Sequence, residues 1–324
     1  RVRRRTDCQR LTVAKRFVIT LLSCLLFSQL VFAEQKIVLI SSSNSAVYQK
    51  ALSAFKTDLN KTASLKGYSI KSLLLKDIQS SEYPSAQAGA VVVTIGSAAA
   101  NYAINHFENT PTLFGFITRS AYESLIAKSP PRVDLAAVFI DQPLDRLLNL
   151  ASLMKRDQSP FRVGILNQNL SKLKNSKDTN RFLSTDIEVN AATLAKQDNP
   201  MKTIQALMRT SDIFIVRPNT SLFNRLTAKL VLQLSMRYKT PVIGFSKNYA
   251  QAGALLSLYA SPEDIGSDIA DTLDQWLSAP EHSIFGPKEG SSFSVEVNRH
   301  IAKKMNINLD LDQLERDLRR MEGQ

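Results

Sequence analysis

From Lys36 onward, short and almost wholly apolar runs alternate with amphipathic stretches of helical spacing, and this alternation limits the fold more than any other feature of the chain. "KIVLISSS" leads to "NSAVYQKALSAFKTDL", "AGAVVVTIGS" to "AAANYAINHF", "PTLFGFIT" to "RSAYESLIAKS", and "VDLAAVFID" to "LDRLLNLASLMKR". The second half repeats the pattern with "FRVGILNQN", "TDIEVNA", "MKTIQALMRT", "DIFIVRPNT", "SLFNRLTAKLVLQLSMRY" and "TPVIGFS". Strands apolar on both faces must be covered on both faces, so the pattern predicts an α/β chain of parallel sheets sandwiched between helices. No repeat with a period of tens of residues and no low-complexity linker interrupts it.

The stretch before this alternation reads as a leader. Residues 1–16 are strongly basic, residues 17–33 are uncharged and mostly apolar, and Val31-Phe32-Ala33 ends the run on a small-x-small pattern. These are the three parts of a secretory signal peptide, expected to be cut after Ala33, the alternative being a membrane anchor at the short limit for spanning, and the true start can lie as late as about Val13. Leu21-Leu22-Ser23-Cys24 has the form of a lipid-attachment site, but too little apolar sequence precedes Cys24 for that purpose. The leader holds seven of the 41 basic residues and one of the 29 acidic ones, so half of the +12 net charge leaves with it. Along the rest of the sequence positive charges are scattered, which argues against nucleic acid as a partner. Cys8 and Cys24 leave too, so the exported chain has no disulfide, no thiolate metal site and no cysteine nucleophile.

In parallel sheets covered by helices, ligands bind beyond the carboxyl ends of the strands. Here those ends are polar: Ser41-Ser42-Ser43-Asn44, Gly96-Ser97, Thr118-Arg119-Ser120, Asn167-Gln168-Asn169, Arg217-Pro218-Asn219-Thr220 and Ser246-Lys247-Asn248. Ser, Thr and Asn are also the preferred helix caps, which is the alternative for each of them singly. Three ends in each half suit a site shared by two lobes. Catalytic constellations are missing. His106, His282 and His300 stand apart without metal-ligand spacing, and there is no G-x-S-x-G elbow or phosphate-binding glycine loop. Trp276 and Tyr259 are candidates for ring stacking, with core packing the alternative for Trp276, which shares helical spacing with Leu273 and Leu277.

"TPVIGFSKNYAQAGALLSLYASPEDIGSDIADTLDQWL" resembles a segment of ABC-transporter substrate-binding proteins, in the aromatic-amino-acid-like branch with the type I periplasmic binding fold. "VVVTIGSAAANYAI", "PTLFGFITRSAYESLI", "SPFRVGILNQN" and "FSVEVNRHIAKKMNINL" are similar to further segments of that family, in the same order. The resemblance implies two doubly wound parallel-sheet lobes joined by a three-segment hinge. The first would comprise residues 34–141 and 261–283, the second 142–260 and 284–324. It implies ligand contacts from Ser43, Asn44, Gly96, Ser97, Thr118, Arg119, Asn167, Arg217, Asn219, Ser246 and Lys247. Ser246-Lys247-Asn248 would be a cleft loop, and residues 259–261 hinge. It further implies a periplasmic monomer without cofactor or metal, not an enzyme, that captures a small molecule and meets the membrane permease of an importer. The alternative is a sensor or regulatory subunit of the same fold that signals to a membrane protein.

Departures from the family bear on the cargo. Thr118-Arg119-Ser120 and Arg217-Pro218-Asn219-Thr220 replace acid-bearing segments, so two acids are lost and one arginine stands on each lobe. A guanidinium fork suits carboxylate or phosphate, which suggests an anionic ligand. The alternative is that both arginines face solvent or pair with acids such as Asp141.

Overall fold

The computed structural model describes residues 36–62, 68–79, 90–132, 134–155, 160–166, 187–194, 198–219, 222–279 and 286–323. The leader, Asn167 and His282 lie outside them.

Two six-stranded sheets form. The first contains β1 (Lys36–Ser41), β2 (Ser69–Leu74), β3 (Ala90–Ile95), β4 (Thr112–Ile117), β5 (Leu135–Phe139) and β11 (Pro287–Glu289), in the order β2-β1-β3-β4-β5-β11 and wholly parallel. The second contains β6 (Phe161–Leu166), β7 (Ile187–Ala192), β8 (Ile213–Ile215), β9 (Val242–Gly244), β10 (Leu256–Tyr259) and β12 (Ser294–Val297). Its order is β7-β6-β8-β9-β10-β12, parallel except for the last strand. The two halves thus share one winding plan. The helices are α1 (Ala46–Lys61), α2 (Leu75–Gln79), α3 (Ser97–His106), α4 (Arg119–Ile126), α5 (Leu144–Ser152), α6 (Pro200–Arg209), α7 (Arg225–Tyr238), α8 (Lys247–Ala252), α9 (Pro262–Ser278), α10 (Arg299–Lys304) and α11 (Leu311–Met321).

Strand periodicity sorts each apolar run onto two faces. Ile37 and Leu39 pack with Leu52 and Phe55 of α1 and with Ile265, Ile269 and Leu273 of α9, whereas Val38 and Ile40 pack with Ala99, Ala100 and Ile104 of α3. In the second sheet Val163, Ile165, Ile213 and Ile215 meet α5 and α11, while Phe214 meets α6 and α7. The contact of α9 with α1 depends on Gly266, where a Cβ would run into the Ala51 carbonyl. The start of α9 matches its sequence: Pro262 opens it, Ser261 accepts from Asp264 N at 3.0 Å, and Asp264 Oδ2 accepts from Ser261 N at 3.0 Å. This reciprocal box satisfies two of the amide donors that a helix start leaves over.

The chain passes between the sheets three times: after Phe139, after Tyr259, and between Glu289 and Ser294. Pro287–Glu289 pairs with β5, so the last passage lies beyond the expected boundary at 283/284. Arg146 ties two of the passages together. Its buried guanidinium donates to Gln142 Oε1 at 2.7 Å and to Gly290 O at 3.3 Å, and pairs with Glu322 at 2.9 Å. Gln142 Nε2 in turn donates to Ser292 O at 3.3 Å.

Charge is distributed less evenly than the sequence suggests. Basic residues scattered along the chain gather in the fold, because α7, α8 and α10 carry Arg225, Lys229, Arg237, Lys247, Arg299, Lys303 and Lys304 and no acid.

Candidate functional site

Both sheets have the winding order whose switch point, where strand order reverses, is the usual ligand position. In the first sheet that point lies between β1 and β3, where Ser43, Asn44, Gly96 and Ser97 fall. Here the backbone is held by its own side chains. Ser41 Oγ donates to Ser43 O at 2.7 Å, Ser43 Oγ accepts from Ser45 N at 3.1 Å, and Ser42 Oγ accepts from Ala99 N at 2.8 Å. Asn44 Oδ1 accepts from Gln49 Nε2. Gly96 caps α3 with φ 99°, and a Cβ there would meet Ser42 Oγ and the Tyr48 ring. Only glycine fits both the dihedral and the space.

An aromatic pair that the sequence does not advertise stands beside this turn. Tyr48, in the first turn of α1, lies with its ring 5.2 Å from that of Phe116. Phe116 has φ 54° and sits where the pairing of β4 with β5 slips between Phe114 and Ile117. A bulky residue rarely adopts that backbone, and such bulges commonly re-aim a side chain next to a site.

Thr118 caps α4, its hydroxyl accepting from Ala121 N at 3.1 Å, so the capping alternative holds for it. Arg119 is engaged on its own sheet. Its guanidinium pairs with Glu289 and stacks over the Phe139 ring at 4.5 Å, and its backbone N donates to Asp141 Oδ2 at 2.8 Å. Asp141 is 3% exposed. Burial pushes its carboxyl above the ordinary aspartate range; the Arg217 guanidinium opposes this most strongly, followed by the Arg119 amide and the Arg119 charge. Arg217 follows β8 of the second sheet, and its Nε is buried without a hydrogen-bond partner. The two predicted arginines therefore differ: one is committed to an acid of its own sheet, the other keeps a buried donor open.

In the second sheet Asn219 Oδ1 accepts from Leu222 N at 3.1 Å. Ser246 caps α8, accepting from Tyr249 N at 3.2 Å, and Lys247 begins that helix. The expected loop at Ser246-Lys247-Asn248 is thus a cap and a first helical turn, because the serine hydroxyl satisfies the amide of Tyr249. Lys247 Nζ lies 3.8 Å from Glu296. Phe245 pairs with Tyr249 at 5.3 Å between ring centroids. Trp276 packs against the core formed by α1, α9 and the first sheet, as its spacing suggests. Among the described residues no cluster of His, Cys, Asp or Glu could hold a metal ion, and no helix is long and apolar enough to cross a membrane.

Solved structures share this architecture. A ligand-free, open substrate-binding protein with adhesive properties from Clostridium difficile matches with TM-score 0.59 at 14% identity, over 85% of this chain and 96% of its own. The fold is the type I periplasmic binding fold. An ABC domain from Streptococcus pneumonia in complex with L-Trp matches with TM-score 0.54 at 15% identity, over 87% and 98%. A conserved domain protein from Vibrio cholerae matches with TM-score 0.54 at 16% identity over the same shares. No protein-family model and no curated protein sequence matches.

Glu289, Tyr48, Phe116 and Phe245 are the additions that reading the sequence did not single out. Asp141 enters the sequence reading only as a partner for the arginines, although its position directly after the apolar run "LAAVFI" marks it as a strand end. Phe116 gave no signal, because its importance lies in a backbone angle.

Proposed function

We propose that the chain is an exported solute-binding protein that holds a small molecule between the carboxyl ends of its two sheets and closes around it by rotation at the three passages. One observation carries the reading: the Arg217 charge beyond β8 of the second sheet acts on the buried Asp141 carboxyl that follows β5 of the first, which supports a site bordered by strand ends of both halves. The match to open and ligand-bound binding proteins of the same fold supports it. A ligand touching both lobes stabilises the closed state by its differential affinity, and closure is the signal a membrane partner reads. The partner in this reading is the permease of an importer, the location is the periplasm, and no reaction is catalysed.

Arg217 is the residue assigned to an anionic group of the ligand. Its buried Nε lacks an acceptor, and a carboxylate or phosphate oxygen supplies one as a charge-assisted bond. Tyr48 and Phe116 supply an apolar wall.

A thermal-shift screen of residues 34–324 against amino acids, organic acids, purines, phosphates and sugars tests the reading. A ligand at a hundred times its dissociation constant adds about 2.7 kcal/mol, a shift of several degrees. Stabilisation by a carboxylate- or phosphate-bearing compound supports it. Stabilisation by none of these classes would contradict it and favour the regulatory alternative.

A further inference from the structure

A groove of about 710 Å3 runs between α7 and α8, with Ile301 of α10 also in its lining. Two parallel stripes of α7 form one wall. Ala228, Leu232 and Met236 make an apolar stripe, and Arg225, Lys229 and Gln233 a polar one, each at four-residue spacing that stacks side chains on one helical face. Tyr249 lines the groove from α8; it is 7% exposed, and its hydroxyl is buried without a hydrogen-bond partner. Met236, in the apolar stripe, is 37% exposed.

Both charged side chains that line the groove, Arg225 and Lys229, are basic, while Lys247 of α8 lies beside Glu296 of β12. Between Asp212 and Glu263 the sequence has no acid, and α7, α8 and α10 contribute only basic residues. An occupant must therefore be apolar on one side and negative along its flanks. Arg225, Lys229, Gln233, Met236, Asn248 and Ala252 are all exposed, so the groove is open along its length and would leave a free small molecule wet on one side. Its concave floor between two helices also fits an inserted rod better than a flat bilayer. α7 is 14 residues long, about 21 Å, enough for three to four turns of a second helix beside it.

We propose that this groove is a docking site for an acidic amphipathic helix of a partner protein. Its apolar side chains pack on Ala228, Leu232, Met236 and Ile301, and its carboxylates reach Arg225 and Lys229. Seating a helix in a groove by apolar anchors at i, i+3, i+4 and i+7 is a general recognition mode. The flanking charges set the choice between acidic and basic partners and speed encounter. Nothing in this inference depends on which solute, if any, the inter-sheet space accepts.

The test uses residues 34–324 and two labelled helical peptides of about 14 residues. Both carry leucines along one face; one has glutamates on the flanks and the other lysines. Fluorescence anisotropy should show the glutamate peptide binding at least about tenfold tighter than the lysine peptide, with the difference shrinking at high salt. An Arg225→Glu, Lys229→Glu double variant should reverse the preference. Met236→Glu, at an exposed position that leaves the core intact, should weaken the glutamate peptide. Equal binding of the two peptides, or glutamate-peptide binding undiminished in the double variant, would overturn the proposal. So would a protein that ignores both peptides but sediments with phosphatidylserine vesicles in a manner sensitive to Arg225 and Lys229, which would assign the surface to a membrane.

Discussion

Asp141 follows β5 of the first sheet and Arg217 follows β8 of the second, yet the Arg217 guanidinium is the strongest charge opposing the rise in the buried Asp141 carboxyl's pKa. Asp141 is also fixed from its own side, by the Arg119 amide at 2.8 Å. The carboxyl thus sits where the two halves meet, balanced between burial and a cation across the interface.

This balance has a pH consequence. Burial raises the folded pKa of Asp141 above the ordinary value of about 3.9, so the folded state holds its proton more tightly than the unfolded chain. The stability contributed is fully present below that ordinary value and is lost as pH rises through the raised pKa. Asp141→Asn should therefore flatten this part of the pH profile, its melting temperature improving relative to the parent as pH increases across the window. Arg217→Met should extend the window upward by removing the opposing charge. Melts from pH 3 to 8 check both; parallel profiles for all three proteins would contradict the assignment.

The two arginines should separate in binding. Arg119 is committed to Glu289, so Arg119→Ala should change the affinity for an anionic ligand little. Arg217→Ala removes the donor left open and should weaken it by about tenfold or more, as loss of a charge-assisted bond does. Calorimetric titration of the two variants distinguishes them. Equal losses would mean that Glu289 releases Arg119 when ligand binds.

Gly96 should tolerate no side chain. Gly96→Ala meets both φ 99° and the crowding by Ser42 and Tyr48, and should lose about 1–3 kcal/mol in urea unfolding. The turn it forms also sets Ser42 against Ala99 N, so ligand affinity should fall with it. A neutral substitution would show that the turn can relax.

Arg146 should matter more for stability than its distance from the strand ends suggests. Removing one partner of a buried ion pair costs about 3–5 kcal/mol. The Glu322 side chain keeps 15% exposure and can recover some hydration, which places Arg146→Ala near the lower end. Loss of its bonds to Gln142 and Gly290 should also loosen two of the three passages, visible as faster amide exchange in residues 140–142 and 290–293.

Much of this architecture is legible in the sequence because it rests on periodicity. The strand runs and the helix stripes are local patterns that the fold only confirms. The polar strand ends were legible too, and capping was the role open to each of them singly. Thr118 and Ser246 are such caps, whose hydroxyls answer to the next helix. Arg119 and Arg217 look equivalent in sequence and differ only because β11 brings Glu289 alongside β5, a pairing between residues far apart in the chain. The basic face of the second lobe was hidden for the same reason, since its three helices are separate in sequence and adjacent in space.

Closure between the halves is the central claim, and a distance across them tests it most directly. Residues 34–324 contain no cysteine, so Asn101→Cys on α3 and Gln251→Cys on α8, both exposed, take spin labels at two known points. Pulsed dipolar spectroscopy with and without the most stabilising anionic compound from the screen should show the distance shorten and its distribution narrow. An unchanged distance distribution with bound ligand would contradict capture by hinge closure.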